Sequence, residues 1–218
     1  MKKTIFLFAP LIILASVIRA QSSSTDLASA AVAKLDKAVS IKDFQQLAGE
    51  FEGIAASQKN QWLLYYYAAF CNAKIGWLKQ EDPDNIEQYA NKANAQIEKA
   101  IRLIDTATHK KEASEIYVVL SMIRRSIVYV NPMTYGKEYG IAATKYVLTA
   151  YHYNPTNPRA LYLLGWEKYA TPKQYGGDKV KAKEYLLQAK EQLQSNPATG
   201  TEPRWGKTEV DDILKKLK

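Results

Sequence analysis

A chain of 218 residues with one cysteine and a formal charge of +8 has room for one domain with its own core and cannot close an internal disulfide. The basic surplus is spread out: Lys179, Lys181 and Lys183 have acidic neighbours, as does the tail from Lys207 to Lys218. Nucleic-acid binding needs a clustered basic stripe, so that function class is set aside.

Met1-Lys2-Lys3 is a short basic start, Ile5 to Ile18 is an apolar run broken by Pro10 and Ser16, and Ala20 precedes the polar Gln21-Ser22-Ser23-Ser24. This is the layout of a secretory signal peptide over residues 1–20, cut after Ala20, with Ile18 an unusual residue at the minus-three position. A membrane anchor needs about 20 apolar residues; this run is shorter and ends at Arg19. Loss of the leader removes Lys2, Lys3 and Arg19 and leaves 27 basic residues against 22 acidic ones. The mature chain, 21–218, is expected to be periplasmic or secreted and not to span a membrane. Cys71 falls inside an apolar helix, where a buried, inert thiol is expected.

Beyond the leader, apolar residues recur every three or four positions, which predicts amphipathic helices. Leu27, Ala31, Leu35 and Ala38 form a first stripe; Phe44, Leu47, Phe51 and Ile54 form a second, with Asp43 near its start. The third helix, about 61–78, carries two stripes, one through Trp62, Tyr66, Ala69, Ala73 and Gly76 and one through Leu63, Tyr67, Phe70 and Trp77. A helix apolar on so much of its circumference packs between neighbours. Further helices are predicted at about 83–104, 111–130, 137–153, 158–170, 178–194 and 208–217. Pro83 and Pro158 are placed for first turns, and Asp178 for an N-cap. Tyr65-Tyr66-Tyr67 and Ile116 to Leu120 have strand propensity but lie within longer helical patterns, so no sheet is expected.

The chain also repeats itself. Tyr129-Val130-Asn131-Pro132-Met133-Thr134-Tyr135-Gly136-Lys137-Glu138 returns forty positions later as Tyr169-Ala170-Thr171-Pro172-Lys173-Gln174-Tyr175-Gly176-Gly177-Asp178. Each copy follows one helix and precedes another, so Pro-x-x-Tyr-Gly is predicted to be a helix-ending turn, with proline stopping the first helix. Alanines seven apart recur in the second helix of each predicted hairpin: Ala93 and Ala100, Ala143 and Ala150, Ala182 and Ala189. Between them stand Ile97, Val147 and Leu186. Small residues two turns apart let a neighbouring helix approach, and the bulky residue fills the gap.

The pattern resembles the tetratricopeptide repeat family. Ala143, Val147, Ala150 and Pro155 match the series of that family's second helix, and Leu164-Gly165 after Asn157-Pro158-Arg159-Ala160 matches its first; Ala69 and Ser121 stand at the small position of earlier hairpins. The resemblance implies an all-α, right-handed α-solenoid of helical hairpins: a divergent N-terminal hairpin over 21–58, three repeats over 60–197 and a capping helix over 203–218. Family repeats run about 34 residues; the longer spacing here predicts lengthened turns inside the hairpins. Pro-x-x-Tyr-Gly-Gly-Asp and the later Pro203-Arg204-Trp205-Gly206 are also similar to exported helical repeat proteins of Bacteroidetes-type bacteria, and more distantly to a periplasmic helical-repeat subunit of tripartite transporters.

Catalytic chemistry is not in evidence. His109 and His152 lack metal-ligand spacing, no Gly-x-Ser-x-Gly elbow or Cys-His signature occurs, and neither a metal site nor a cofactor is expected. Gly176-Gly177-Asp178 opens a helix and could offer amides to an anion, although a plain helix start explains it as well. Tyr135 and Tyr175, placed in equivalent turns at one edge of a stack, could contact a partner or plug their turns. Trp205 is expected to dock the final helix on the last hairpin. A non-catalytic module that binds a protein or peptide in the cell envelope follows, using the concave face or the turn edge; the alternative is a small-ligand-binding accessory of a periplasmic transport system.

Overall fold

The computed structural model describes residues 26–217, so the leader expected over 1–20 lies outside them. Among the described residues the chain is all-helical. Nine α-helices follow one another: α1 (26–35), α2 (Ile41–Ser57), α3 (Trp62–Leu78), α4 (Ile86–Arg102), α5 (Lys110–Val130), α6 (Pro132–Tyr153), α7 (Pro158–Ala170), α8 (Lys179–Ser195) and α9 (Lys207–Lys216). They pack in sequential antiparallel pairs, and among these helices none is long and apolar enough to cross a membrane.

The caps explain the boundaries. Ser40 and Asp43 form a reciprocal capping box at the start of α2, and Ser40 amide and hydroxyl donors hold the Asp43 carboxyl below its usual range. Asn157 accepts from the Arg159 and Ala160 amides with Pro158 in the first turn of α7. Asp178 accepts from Lys181 and Val180, and those amides keep its carboxyl low. Pro83 does not open a helix. It lies in the preceding turn, where its carbonyl accepts from the Ile86 amide, and α4 begins after Asn85, whose φ is 68°.

Two rows result. The odd-numbered helices α3, α5 and α7 touch in succession, and α3 and α5 are buried on nearly every side. The even-numbered α4, α6 and α8 bury narrow stripes, and the three alanine pairs at their centres are fully buried. Close approach is real at these places. A Cβ on Gly76 would stand 2.7 Å from the Ser126 Cβ, and one on Gly165 would stand 2.7 Å from Leu186 Cγ. The Ser114 and Ser121 hydroxyls donate at 2.8 Å to the Ala150 and Ala143 carbonyls, which ties α5 to the alanine stripe of α6.

The inner row is covered by the chain's own C-terminal segment. Trp205 stacks on Phe70 at 4.6 Å, meets Tyr162 edge-on, and donates through Nε1 to the Tyr66 hydroxyl at 2.9 Å. Tyr67 donates to the Thr201 carbonyl, and Lys74 pairs with Glu209 at 2.7 Å. Trp205 therefore reaches past the last hairpin to α3. Beneath it lies a buried ion pair: Arg159 donates through Nε and Nη2 to Glu115 at 2.7–2.9 Å, and Tyr66 donates to the same carboxylate. Burial, with the Glu115 charge beside it, pushes the Tyr66 phenol well up. Cys71 is fully buried on α3, and desolvation raises its thiol.

The two copies of Pro-x-x-Tyr-Gly fold differently. In the second, Lys173–Tyr175 form a single 3-10 turn, Gly176 takes φ 95°, and Gly177 presses on the previous segment. A Cβ on Gly177 would come within 1.7 Å of the Thr171 carbonyl oxygen. The first copy carries Lys137 there, so the same turn is closed to it. Asn131 instead caps Thr134, Pro132 takes the first helical position, and Tyr135 and Gly136 fall inside α6. The predicted lengthened turn thus exists at 79–85 and 171–178 but not between α5 and α6, which are separated by Asn131 alone. Gly177→Ala is expected to lower stability by about 1–3 kcal/mol, because the backbone must move to admit a methyl group. Chemical denaturation of the variant beside Gly49→Ala, where a Cβ meets nothing within 4 Å, checks this.

Candidate functional site

Splaying of the outer row opens a groove. Helices α6 and α8 scarcely touch; they meet where Tyr151 and Tyr185 contact edge-on at 6.5 Å. Between α6, the end of α7 and the turn before α8 lies a cavity of about 860 Å³, within the usual size for small-ligand sites. One wall is α6, read at helical spacing: Gly136, Gly140, Thr144, Leu148 and His152. Over the sixteen steps from Gly136 to His152 the wall runs about 24 Å at about 1.5 Å per residue.

The groove is apolar along its length and basic at its edges. Ile141 and Leu148, seven residues apart on α6, remain 64% and 51% exposed. Large apolar side chains left bare in one line mark a binding surface more than scattered ones do. Arg125, Lys137 and Lys145 line the cavity against one carboxylate, Glu167. Glu167 is already engaged, since Arg125 stands 3.4 Å from it and the Thr144 hydroxyl donates to it. Arg125 is also held over the Trp166 ring at 5.4 Å, and Trp166 packs on Trp77. Gly140 leaves room for that guanidinium, standing 3.7 Å from it at the Cβ position.

The structure separates the residues singled out in the sequence. Tyr175 lies on the groove lining, and Gly136, next to Tyr135, does too. Tyr135 itself is half-buried against Tyr139 at 5.5 Å, on α6 rather than in a turn equivalent to that of Tyr175. Gly176, Gly177 and Asp178 build the turn and the N-cap of α8, and the Asp178 carboxylate already takes the free amides an anion would need. Trp205 is in the inner-row packing, away from the groove. Sequence reasoning missed Arg125, Lys137, Ile141, Lys145 and Leu148. Arg125 stands on α5; the signal of the other four was readable in part, as apolar and basic residues on the α6 face opposite Ala143, Val147 and Ala150. Among the described residues no cluster of three or more His, Cys, Asp or Glu could hold a bare metal ion.

No protein-family model matches the sequence, and neither does any curated protein. Among solved structures, the HusA haemophore from Porphyromonas gingivalis is similar, with a TM-score of 0.78 and 27% sequence identity over 88% of this chain and 92% of that one. The chain is an all-helical protein of haemophore-like fold.

Proposed function

We propose that this protein is a non-catalytic, exported haem-binding protein that takes its cargo in the groove between α6 and the α7–α8 turn. The groove's composition carries the reading: a long apolar wall bordered by three cations and one neutralised carboxylate. A porphyrin is a flat apolar ring with two carboxylates on one edge, and it asks for that pairing. Gly136 and Gly140 keep the wall low enough for a flat ring to lie against α6. Lys137, Lys145 and Arg125 are the side chains available to its carboxylates, with Arg125 able to make two parallel hydrogen bonds. The likeness to a haemophore over most of both chains points the same way. The reading keeps the export expected from the leader and the non-catalytic binding role, and it takes up the small-ligand alternative in place of a protein or peptide partner. A peptide lodged along α3, α5 and α7 has less support, because residues 201–209 already contact α3 and α7.

Titration of the mature chain with haemin, followed by absorbance, tests the proposal. Saturable binding is expected, and Ile141→Asp with Leu148→Asp should weaken it by about a hundredfold or more, since each buried carboxylate costs several kcal/mol. Both positions are exposed, so the unfolding midpoint should hardly move. An unmodified chain that leaves haemin free in solution would sink the reading.

A further inference from the structure

Three of the four most exposed large apolar side chains among the described residues stand at one edge of the molecule. Helices α6 and α8 run the same way in the outer row, so their first turns lie at the same end of the stack. Met133 and Val180 each hold the second position of their helix, 95% and 70% exposed, and Tyr175 in the 3-10 turn before α8 is 76% exposed. Lys137 of α6 and Tyr175 line one cavity, which sets the two turns side by side. Met133 and Val180 are not on that lining, so a cargo in the groove leaves both bare. Apolar side chains this exposed, gathered at one place, mark a contact surface.

The charge around them is basic. Residues 132–138 and 171–184 carry five lysines and three acids. Two of the acids are engaged: Asp178 accepts from the Val180 and Lys181 amides, and Glu184 pairs with Lys181 at 2.7 Å. Lys137, Lys173, Lys179 and Lys183 enter no ion pair among the described residues. Each stands within four residues of an apolar tip, and helical spacing puts Lys137 beside Met133 and Lys183 beside Val180. We infer that this edge docks on an anionic lipid surface, with Met133, Tyr175 and Val180 entering the headgroup layer and the lysines on lipid phosphates. Separate apolar tips among free lysines suit a lipid layer, which closes around each tip; a protein partner needs a contiguous patch packed to interior density. The lysine stems add apolar reach while their ammonium groups stay at the phosphates. No described helix is long and apolar enough to span a bilayer, so the contact is peripheral. Val39, 80% exposed, shares the edge at the turn before α2. Between it and Met133 comes the turn before α4, where Glu81 and Asp84 accompany the Lys79–Asp82 pair. An anionic surface repels that turn, which confines the contact to the C-terminal half of the edge.

Sedimentation of the full mature chain, without cargo, tests this on vesicles of equal parts phosphatidylglycerol and phosphatidylcholine, beside vesicles of phosphatidylcholine alone. The chain should bind the anionic vesicles about tenfold or more tighter than the neutral ones. Salt at about 1 M, where the Debye length is about 3 Å, should remove most of that difference. Met133→Ser with Val180→Ser should weaken binding by about tenfold or more, while Val39→Ser stays within about twofold of the unmodified chain. Lys173→Gln, Lys179→Gln and Lys183→Gln together should abolish the preference for anionic vesicles. All six positions are exposed, so the melting temperature of every variant should match that of the unmodified chain, and a loss of binding cannot then be put down to unfolding. An unmodified chain that leaves both kinds of vesicle unbound, or binds them equally, overturns the inference. So does full binding by the Met133→Ser, Val180→Ser variant, or an equal loss in Val39→Ser.

Discussion

Replacing Arg159 by methionine is expected to lower the stability of this protein by about 3–5 kcal/mol, the range for breaking a buried ion pair by removing one partner. Arg159 and Glu115 are both more than nine-tenths buried, and their bond is bidentate. Methionine fills much of the volume but leaves the carboxylate with the Tyr66 hydroxyl as its one remaining described donor. The loss reflects a stranded charge more than a forfeited attraction. Arg159→Met combined with Glu115→Leu should therefore recover most of it, as replacing a whole buried pair by apolar groups is often neutral. Urea unfolding of the single and double variants separates the two terms through the midpoint, provided the slope is unchanged. A double variant as unstable as the single one would show that the pair itself, with its hydrogen bonds, supplies the stability.

Trp205→Ala comes next in size. The indole stacks on Phe70, meets Tyr162 and donates to Tyr66, so its removal empties the junction between α3, α7 and the C-terminal segment. A large aromatic truncated to alanine costs about 3–5 kcal/mol when buried; Trp205 is half-buried, which places the loss near the lower end. Trp205→Phe keeps the stack and drops the hydrogen bond, for a loss of about 1 kcal/mol. Haemin affinity should be unchanged in Trp205→Phe, because the groove lies on the outer row. Thermal melts and a haemin titration on the same samples check both. Near-wild-type stability with lost haemin binding would move Trp205 from packing to ligand contact.

Much of this was legible in order along the chain. The helices follow from apolar spacing, and Asn157, Pro158 and Asp178 mark starts that the structure keeps. The alanine pairs with Ile97, Val147 and Leu186 were readable as helix-contact stripes because their periodicity is a property of one helix at a time. Pro83 misled because a proline fits a turn as well as a first helical position. Tyr135 misled because its motif shares Tyr, Pro, Tyr and Gly with that of Tyr175 but not the residue that matters: Lys137 cannot take the place of Gly177 against Thr171. The groove was hidden for another reason. Its lining comes from α5, α6, α7 and a turn, and no single stretch of sequence contains all of it.

The sequence by itself determined what depends on neighbours along the chain: an all-helical fold over the described residues, the alanine stripes and a single cysteine; the leader and the export it implies are its expectation. Tertiary structure alone decided what depends on distances between segments. The C-terminal segment crosses α3 and sets Trp205 into the inner row, because Phe70, Tyr66 and Tyr162 are brought together there. Glu115 and Arg159, forty-four residues apart, become a buried pair on helices that stack. On the outer row, narrow alanine stripes let each hairpin close while α6 and α8 diverge, and that divergence leaves Ile141, Leu148 and Tyr175 facing an open groove.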